Sequence, residues 1–215
     1  KHLGAVGLRD NISYMSFAHV LEVYRLHERV DVLLDQAAFA KTWSPNHVCL
    51  GALVNAAADH FDWKRAETLW EVLIMEFDVS PTSIEYGCRA KAHMRAGRPL
   101  VVDRVIQEAL RNGIALSSQL AESHCQALLI ICHSSLEERD FMRLRQALQR
   151  GDVVIAAAST WQKKTWANMT RVAERLQLAR ESTSFHDVLV EWKAQHSRMS
   201  KWQRCRAGTN YLAPM

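Results

Sequence analysis

The sequence repeats itself. Ser44 to Val79 reads SPNHVCLGALVNAAADHFDWKRAETLWEVLIMEFDV, and Ser80 to Ala115 reads SPTSIEYGCRAKAHMRAGRPLVVDRVIQEALRNGIA, so Pro45 and Pro81 stand 36 residues apart. Each copy is an apolar stretch with helical spacing, a short polar break, and a second such stretch. A period of this length predicts stacked helix pairs. One pair is too thin to hide its own apolar face, so it needs a neighbour to cover it.

The register extends in both directions. A step of 36 aligns Ile12, Val48 and Ile84, and one more step lands on Leu120. Tyr14, Leu50 and Tyr86 form the next column. In the second helices Val30, Ala66 and Val102 align, followed by Leu33, Leu69, Val105 and by Leu34, Trp70, Ile106. This i, i+3, i+4 pattern predicts amphipathic helices in three consecutive copies. A looser fourth copy ends in RQALQRG, Arg145 to Gly151, which matches QEALRNG, Gln107 to Gly113. Its glycine comes 38 residues after Gly113, and the extra residues are expected in a break around Ser134 and Ser135.

Punctuation agrees with this reading. Gly97, Gly113 and Gly151 are expected at helix ends, where the left-handed backbone favours glycine. Pro99 suits a first helical turn, and Asp62 an N-cap before a helix from Trp63 to Phe77. Past Gly151 the repeat fades. Thr160 to Arg180 reads as a helix with Trp166, Met169, Val172, Ala173 and Leu176 on one side. A last helix is expected from Phe185 to about Arg206, apolar on one face and basic on the other. These two helices suit the covering end that a repeat array needs.

Composition narrows the class. Hydrophobic content of 48% and charged content of 23% are those of a folded chain. The longest apolar runs, Ala127 to Cys132 and Val153 to Ala158, fall far short of the roughly 18 residues of a membrane span. The chain starts at Lys1, so the lack of a visible targeting peptide carries no information. The five cysteines are odd in number and never spaced C-x-x-C, which points to free thiols and a reducing compartment. From Gly151 onward ten Lys/Arg face five Asp/Glu, whereas the residues before it carry 17 and 18. The basic surplus therefore belongs to the C-terminal third.

The segments AGRPLVVDRVIQEALRNGIALS, Ala96 to Ser117, and DWKRAETLWEVLIMEFDVSPT, Asp62 to Thr82, resemble the second half of a pentatricopeptide repeat. The markers are the Ala-Gly-Arg break, the apolar spacing, the Gly-Ile close and the proline at the boundary. The resemblance implies an all-α chain: an α-α superhelix, or solenoid, of about four helix pairs over residues 8–151. A C-terminal helical cap with a basic face would follow over 152–206, then an irregular tail over 207–215.

It also implies a partner, single-stranded RNA, read one base per repeat from the first helices. Ile12, Val48 and Ile84 match the aliphatic column that sandwiches bases in the family, although core packing would explain them equally. Met15, Gly51 and Gly87 fall in the reading column, with Asn46, Thr82 and Ser117 at the matching end positions. Glycine offers no hydrogen bond and Met at best a weak acceptor, so little sequence reading is expected. The polar end residues also suit helix caps. Phosphate contacts are expected from Lys193, Arg198, Lys201, Arg204 and Arg206, with Lys163 and Lys164 as a smaller pair.

No H-E-x-x-H, G-x-S-x-G or phosphate-binding glycine loop occurs. His124 and His133, beside Cys125 and Cys132, are nine apart and do not share a helical face. The expectation is a non-enzymatic chain with no metal and no cofactor. It would be an adaptor in a ribonucleoprotein assembly of a mitochondrion or plastid, such as an organellar ribosome, with protein partners as well as RNA. Two alternatives stay open: a stand-alone RNA binder in transcript processing or stability, and a protein-only scaffold of another organellar complex.

Overall fold

The computed structural model describes residues 10–41, 43–157 and 160–179. Among them are α1 (Asn11–Val23), α2 (His27–Ala40), α3 (His47–Asp59), α4 (Trp63–Met75), α5 (Ser83–Arg95), α6 (Pro99–Arg111), α7 (Ser118–Glu138), α8 (Phe141–Val154) and α9 (Thr160–Ala179). A single 3-10 turn, Ile155–Ala157, follows α8, and no strand occurs among the described residues. The starts of α1, α3 and α5 repeat every 36 residues, as do those of α2, α4 and α6. The sequence register is therefore the structural one.

Two compact units divide the chain. Of the described residues, unit 1 holds those up to Ala96 together with Ala109–Ala115, and unit 2 holds Gly97–Glu108 and those from Leu116 onward.

In unit 1 the aligned apolar columns do what their spacing predicts. Val30, Leu33, Leu34, Ala66, Leu69 and Trp70 are buried, as are Leu50 and Tyr86. On α3 the run Ala56–Ala58 is also buried, small side chains that let neighbouring helices come close. Trp43 locks the connection from α2 to α3: its ring stacks on Tyr14 at 5.6 Å, and its Nε1 donates to the Leu33 carbonyl at 3.1 Å.

Charges join these helices as well. Glu22 on α1 is fully buried and accepts from Arg65 of α4 through both oxygens, at 3.0–3.2 Å. The same guanidinium reaches Asp31 of α2 at 2.8 Å. Burial works against the charge on Arg65, but hydrogen bonds to Glu22 and Asp31 outweigh it and raise its pKa. One repeat on, Glu67 accepts from Arg89 at 2.7 and 2.8 Å and contacts His93 Nε2 at 2.7 Å. Burial alone would raise the Glu67 pKa, yet these partners hold it down at about 2.

The intra-repeat turns share a backbone. Arg25, Phe61 and Gly97, each 36 apart, all sit in the left-handed region with φ of 58°, 61° and 66°. Only the last is the glycine such a turn favours.

Unit 2 departs from the expected register. No break occurs at Ser134 and Ser135; α7 runs unbroken for 21 residues. Ser134 returns its hydroxyl to the Ile131 carbonyl at 3.1 Å, and Ser135 is buried. The apolar series Leu128, Ile131, Cys132, Leu136 continues past them into a core shared with Leu144, Trp166 and Met169. Packing thus overrides the weak helix preference of serine. Gly151 does not close α8 either, since the helix continues to Val154. A Cβ there would lie 1.9 Å from the Trp166 ring, so this glycine serves close approach of α9. Leu120 is also misplaced by a step of 36, because α7 begins 35 residues after α5. It is buried and does not continue the Ile12 column.

Gly97 and Gly113 have the positive φ expected, Asp62 caps α4 through the Arg65 N–H at 2.9 Å, and Pro99 opens α6. The helix after Asp62 stops at Met75, two residues before Phe77. The helix expected from Phe185 to Arg206 lies outside the described residues.

Candidate nucleic-acid interface

The first helices begin alike. Asp10, Asn46, Thr82 and Ser117 each precede one, and each side chain accepts a backbone N–H of the first turn, from Ser13, Cys49, Ile84 and Leu120 respectively. The proposed end positions Asn46, Thr82 and Ser117 are thus N-caps, which satisfy otherwise orphaned donors. Capping uses only part of each group. With its Oδ1 on Cys49 N, Asn46 keeps its amide nitrogen as a donor.

Two residues past the first three caps lies the aliphatic column, and it does not pack the core. Ile12 is 70% exposed, Val48 58% and Ile84 67%. Apolar side chains held in water at one helical position, repeat after repeat, suit a flat apolar ligand. Between α1 and α3 they flank a cavity of about 280 Å³ lined by Ile12, Met15, Ser16, His19, Asn46, Val48, Cys49 and Ala52. This is just under the roughly 300–1,000 Å³ range of small-molecule pockets, a size that suits a single ring system. Ile12, Val48, Met15 and Asn46 of the expected set are therefore brought together.

The groove between α3 and α5 differs. Gly51 is buried, and a Cβ on it would meet Glu85 Oε1 at 3.2 Å. Glu85 is itself only 2% exposed. Its Oε2 accepts from the Thr82 N–H at 2.7 Å and the Thr82 hydroxyl at 2.5 Å, a capping box legible as Thr82-Ser83-Ile84-Glu85. Gly87 is half-buried and has open space where a side chain would stand.

Cationic groups near these helices are partly committed. Lys91 donates to Asn55 at 2.7 Å and Asp59 at 2.8 Å, and Arg95 to Asp59 at 2.6 Å and to the Ala58 carbonyl at 3.1 Å. Burial works against the Asp59 charge, but Lys91 and Arg95 prevail and lower its pKa. In unit 2, Lys163 and Lys164 stand exposed on α9. Lys193, Arg198, Lys201, Arg204 and Arg206 lie outside the described residues.

His124 contacts Asp103 at 2.9 Å, and Arg150 contacts the other Asp103 oxygen at 3.0 Å. The imidazole is buried and its Nδ1 has no partner. Burial pushes the neighbouring Cys125 thiol up to about 11, and Cys49 and Cys132 to about 12. These thiols stay protonated, and a protonated thiol is a poor nucleophile. Among the described residues no group of three or more His, Cys, Asp or Glu could hold a metal ion. No described helix is long and apolar enough to cross a membrane.

The acids Asp31, Glu67 and Asp103 are a column the apolar reading passed over. They lie 36 residues apart, and each takes a cation from a later helix. Their common spacing was the available signal.

The solved structure of the pentatricopeptide repeat protein PPR10 from maize is similar to this chain. The TM-score is 0.58 at 15% sequence identity, covering 88% of this chain and 26% of the maize chain. The fold is pentatricopeptide-like. It is all-α, of the α-α superhelix class built from helix pairs. The chain spans about a quarter of the maize protein's length. No family model matches the sequence, and no curated protein matches it.

Proposed function

We propose that this chain is a non-catalytic helical-repeat adaptor that binds single-stranded RNA with little base discrimination. We place it in an organellar ribonucleoprotein assembly such as a mitochondrial or plastid ribosome. The observation that carries the RNA reading is the exposed column Ile12, Val48, Ile84 at one repeat position, with a ring-sized cavity between its first two members. Apolar side chains that clasp a ring accept any base, because every base has an apolar face. Weak discrimination follows from Met15, Gly51 and Gly87, which offer almost nothing to hydrogen-bond. The organellar setting rests on the family resemblance.

A second feature supports the adaptor role. Phe39 on α2 and Met75 on α4, one repeat apart, are 88% and 82% exposed. Large apolar groups set out on second helices suit protein contacts, the feature a protein-only scaffold would share.

The test is fluorescence anisotropy with labelled homopolymeric RNA decamers at low salt. Wild type should bind all four within a small factor of one another. Val48→Asp with Ile84→Asp, both on exposed positions, should leave the helical circular dichroism intact and weaken binding by about tenfold or more. Wild-type failure to bind any decamer would overturn the RNA reading. Recovery of a ribosome-free complex without RNA would favour the protein scaffold.

A further inference from the structure

The two grooves of unit 1 occupy the same place in successive repeats, and every lining residue changes between them, most in size and charge where the second helix begins. Moving on by 36 residues turns Met15 into Gly51 and Cys49 into Glu85. At the first groove a small thiol leaves a cavity of about 280 Å³. At the second the longer Glu85 side chain folds over the glycine, with Oε1 3.2 Å from where a Cβ would be and the Cγ at 3.6 Å. A side chain at Gly51 would press on Glu85, which would have to give way by a few tenths of an ångström. The capping box holds Glu85 in this position, so the filling is fixed by the backbone of α5. A carboxylate can only accept hydrogen bonds and repels phosphates.

We propose that Glu85 decides which groove of unit 1 receives a base: it fills the groove between α3 and α5, so that bound single-stranded RNA inserts a base between α1 and α3 alone. This rests on the RNA reading given above and adds to it a specificity-determining residue outside the family's reading columns. The aliphatic pair Val48 and Ile84 still offers a surface beside the closed groove, where a base lies against the outside without entering.

Two measurements test it. The first needs no RNA. Cys88 is half-buried one turn along α5 from Glu85, and its alkylation by N-ethylmaleimide can be followed by peptide mass spectrometry. Glu85→Ala should speed this labelling about tenfold, whereas Glu85→Gln, which keeps the size and the capping bonds, should change it by no more than about threefold. The second is crosslinking of decamers carrying 4-thiouridine. Wild type should crosslink to peptides of α1 and the start of α3, and Glu85→Ala should add crosslinks in α5 and bind about threefold to tenfold tighter. Wild-type binding with Cys88 labelling and crosslinks unchanged in Glu85→Ala would overturn this proposal alone. No binding by either protein would overturn the RNA reading and the proposal with it, whatever Cys88 does. Circular dichroism and the Glu85→Gln variant separate an opened groove from a frayed helix.

Discussion

Unit 1 and unit 2 are held together by different means. In unit 1 the helices keep a strict 36-residue register, and the acids Asp31 and Glu67, one repeat apart, each meet a cation on a later helix, a column that unit 2 continues only at Asp103. In unit 2 the register slips. There α7 is eight residues longer than α5, at 21 against 13. The core closes with an indole laid on a glycine. Regular repetition lets successive helix pairs reuse the same acidic position, whereas a contact such as that of Trp166 on Gly151 fits one shape once. The units should therefore answer differently to substitution.

The largest effect is expected at Glu22. It is fully buried and bidentate to Arg65, so Glu22→Ala strands a guanidinium that is itself 8% exposed. Breaking a buried pair from one side costs about 3–5 kcal/mol. Asp31 retains part of the charge on Arg65, which places the loss at the lower end. Hydrogen exchange should rise across α1 to α4 and stay unchanged in α8 and α9. Equal loosening in both units would refute the division drawn here.

Glu67 makes the contrast depend on pH. Its pKa is depressed from 4.5 to about 2 in the folded state, so its partners stabilise the fold fully only above 4.5. That contribution, up to about 3 kcal/mol, is lost as pH falls from 4.5 toward 2. Denaturant titrations of wild type and Glu67→Gln should differ most near neutrality and converge over this acid window. A gap that stays constant down to pH 2 would show that Arg89 and His93 do not depress Glu67.

Unit 2 offers the opposite kind of test. Gly151→Ala improves helix propensity by about 1 kcal/mol, yet it sets a methyl group inside the Trp166 ring. That ring is 4% exposed and pinned by its Nε1 bond to Asp152 at 3.1 Å. Overpacking should win, with a net loss of about 2 kcal/mol. Trp166→Leu combined with Gly151→Ala should recover part of it, since a smaller side chain leaves room for the methyl.

How much of this was legible in the sequence follows the same division. Periodicity fixed the helix starts from Asn11 to Pro99, because each internal repeat obeys one rule and the rule could be checked against its neighbour. It missed the unbroken α7, since Ser134 and Ser135 look like a turn until the apolar stripe on either side is seen to pack. Gly151 reads as a helix end because glycine at a boundary and glycine under an indole look alike in one dimension. In the groove, the aliphatic column and caps were readable from spacing, but the close approach of Glu85 to Gly51, 34 residues apart, was not. Only packing reveals such a contact.

The smallest expected effect probes the turns that unit 1 shares. Arg25 and Phe61 occupy the left-handed backbone that Gly97 fills one repeat later. A side chain in that region costs about 1–2 kcal/mol, partly offset by the extra freedom glycine has when unfolded. Arg25→Gly should therefore raise stability by about 0.5–1 kcal/mol. Phe61→Gly should gain less, because its ring carries the Arg95 guanidinium at 5.3 Å and that contact would go. Thermal melts of the two variants separate the backbone from the side chain. Equal gains would mean the Arg95 stacking contributes nothing, and a loss at Arg25 would mean the turn is not strained at all.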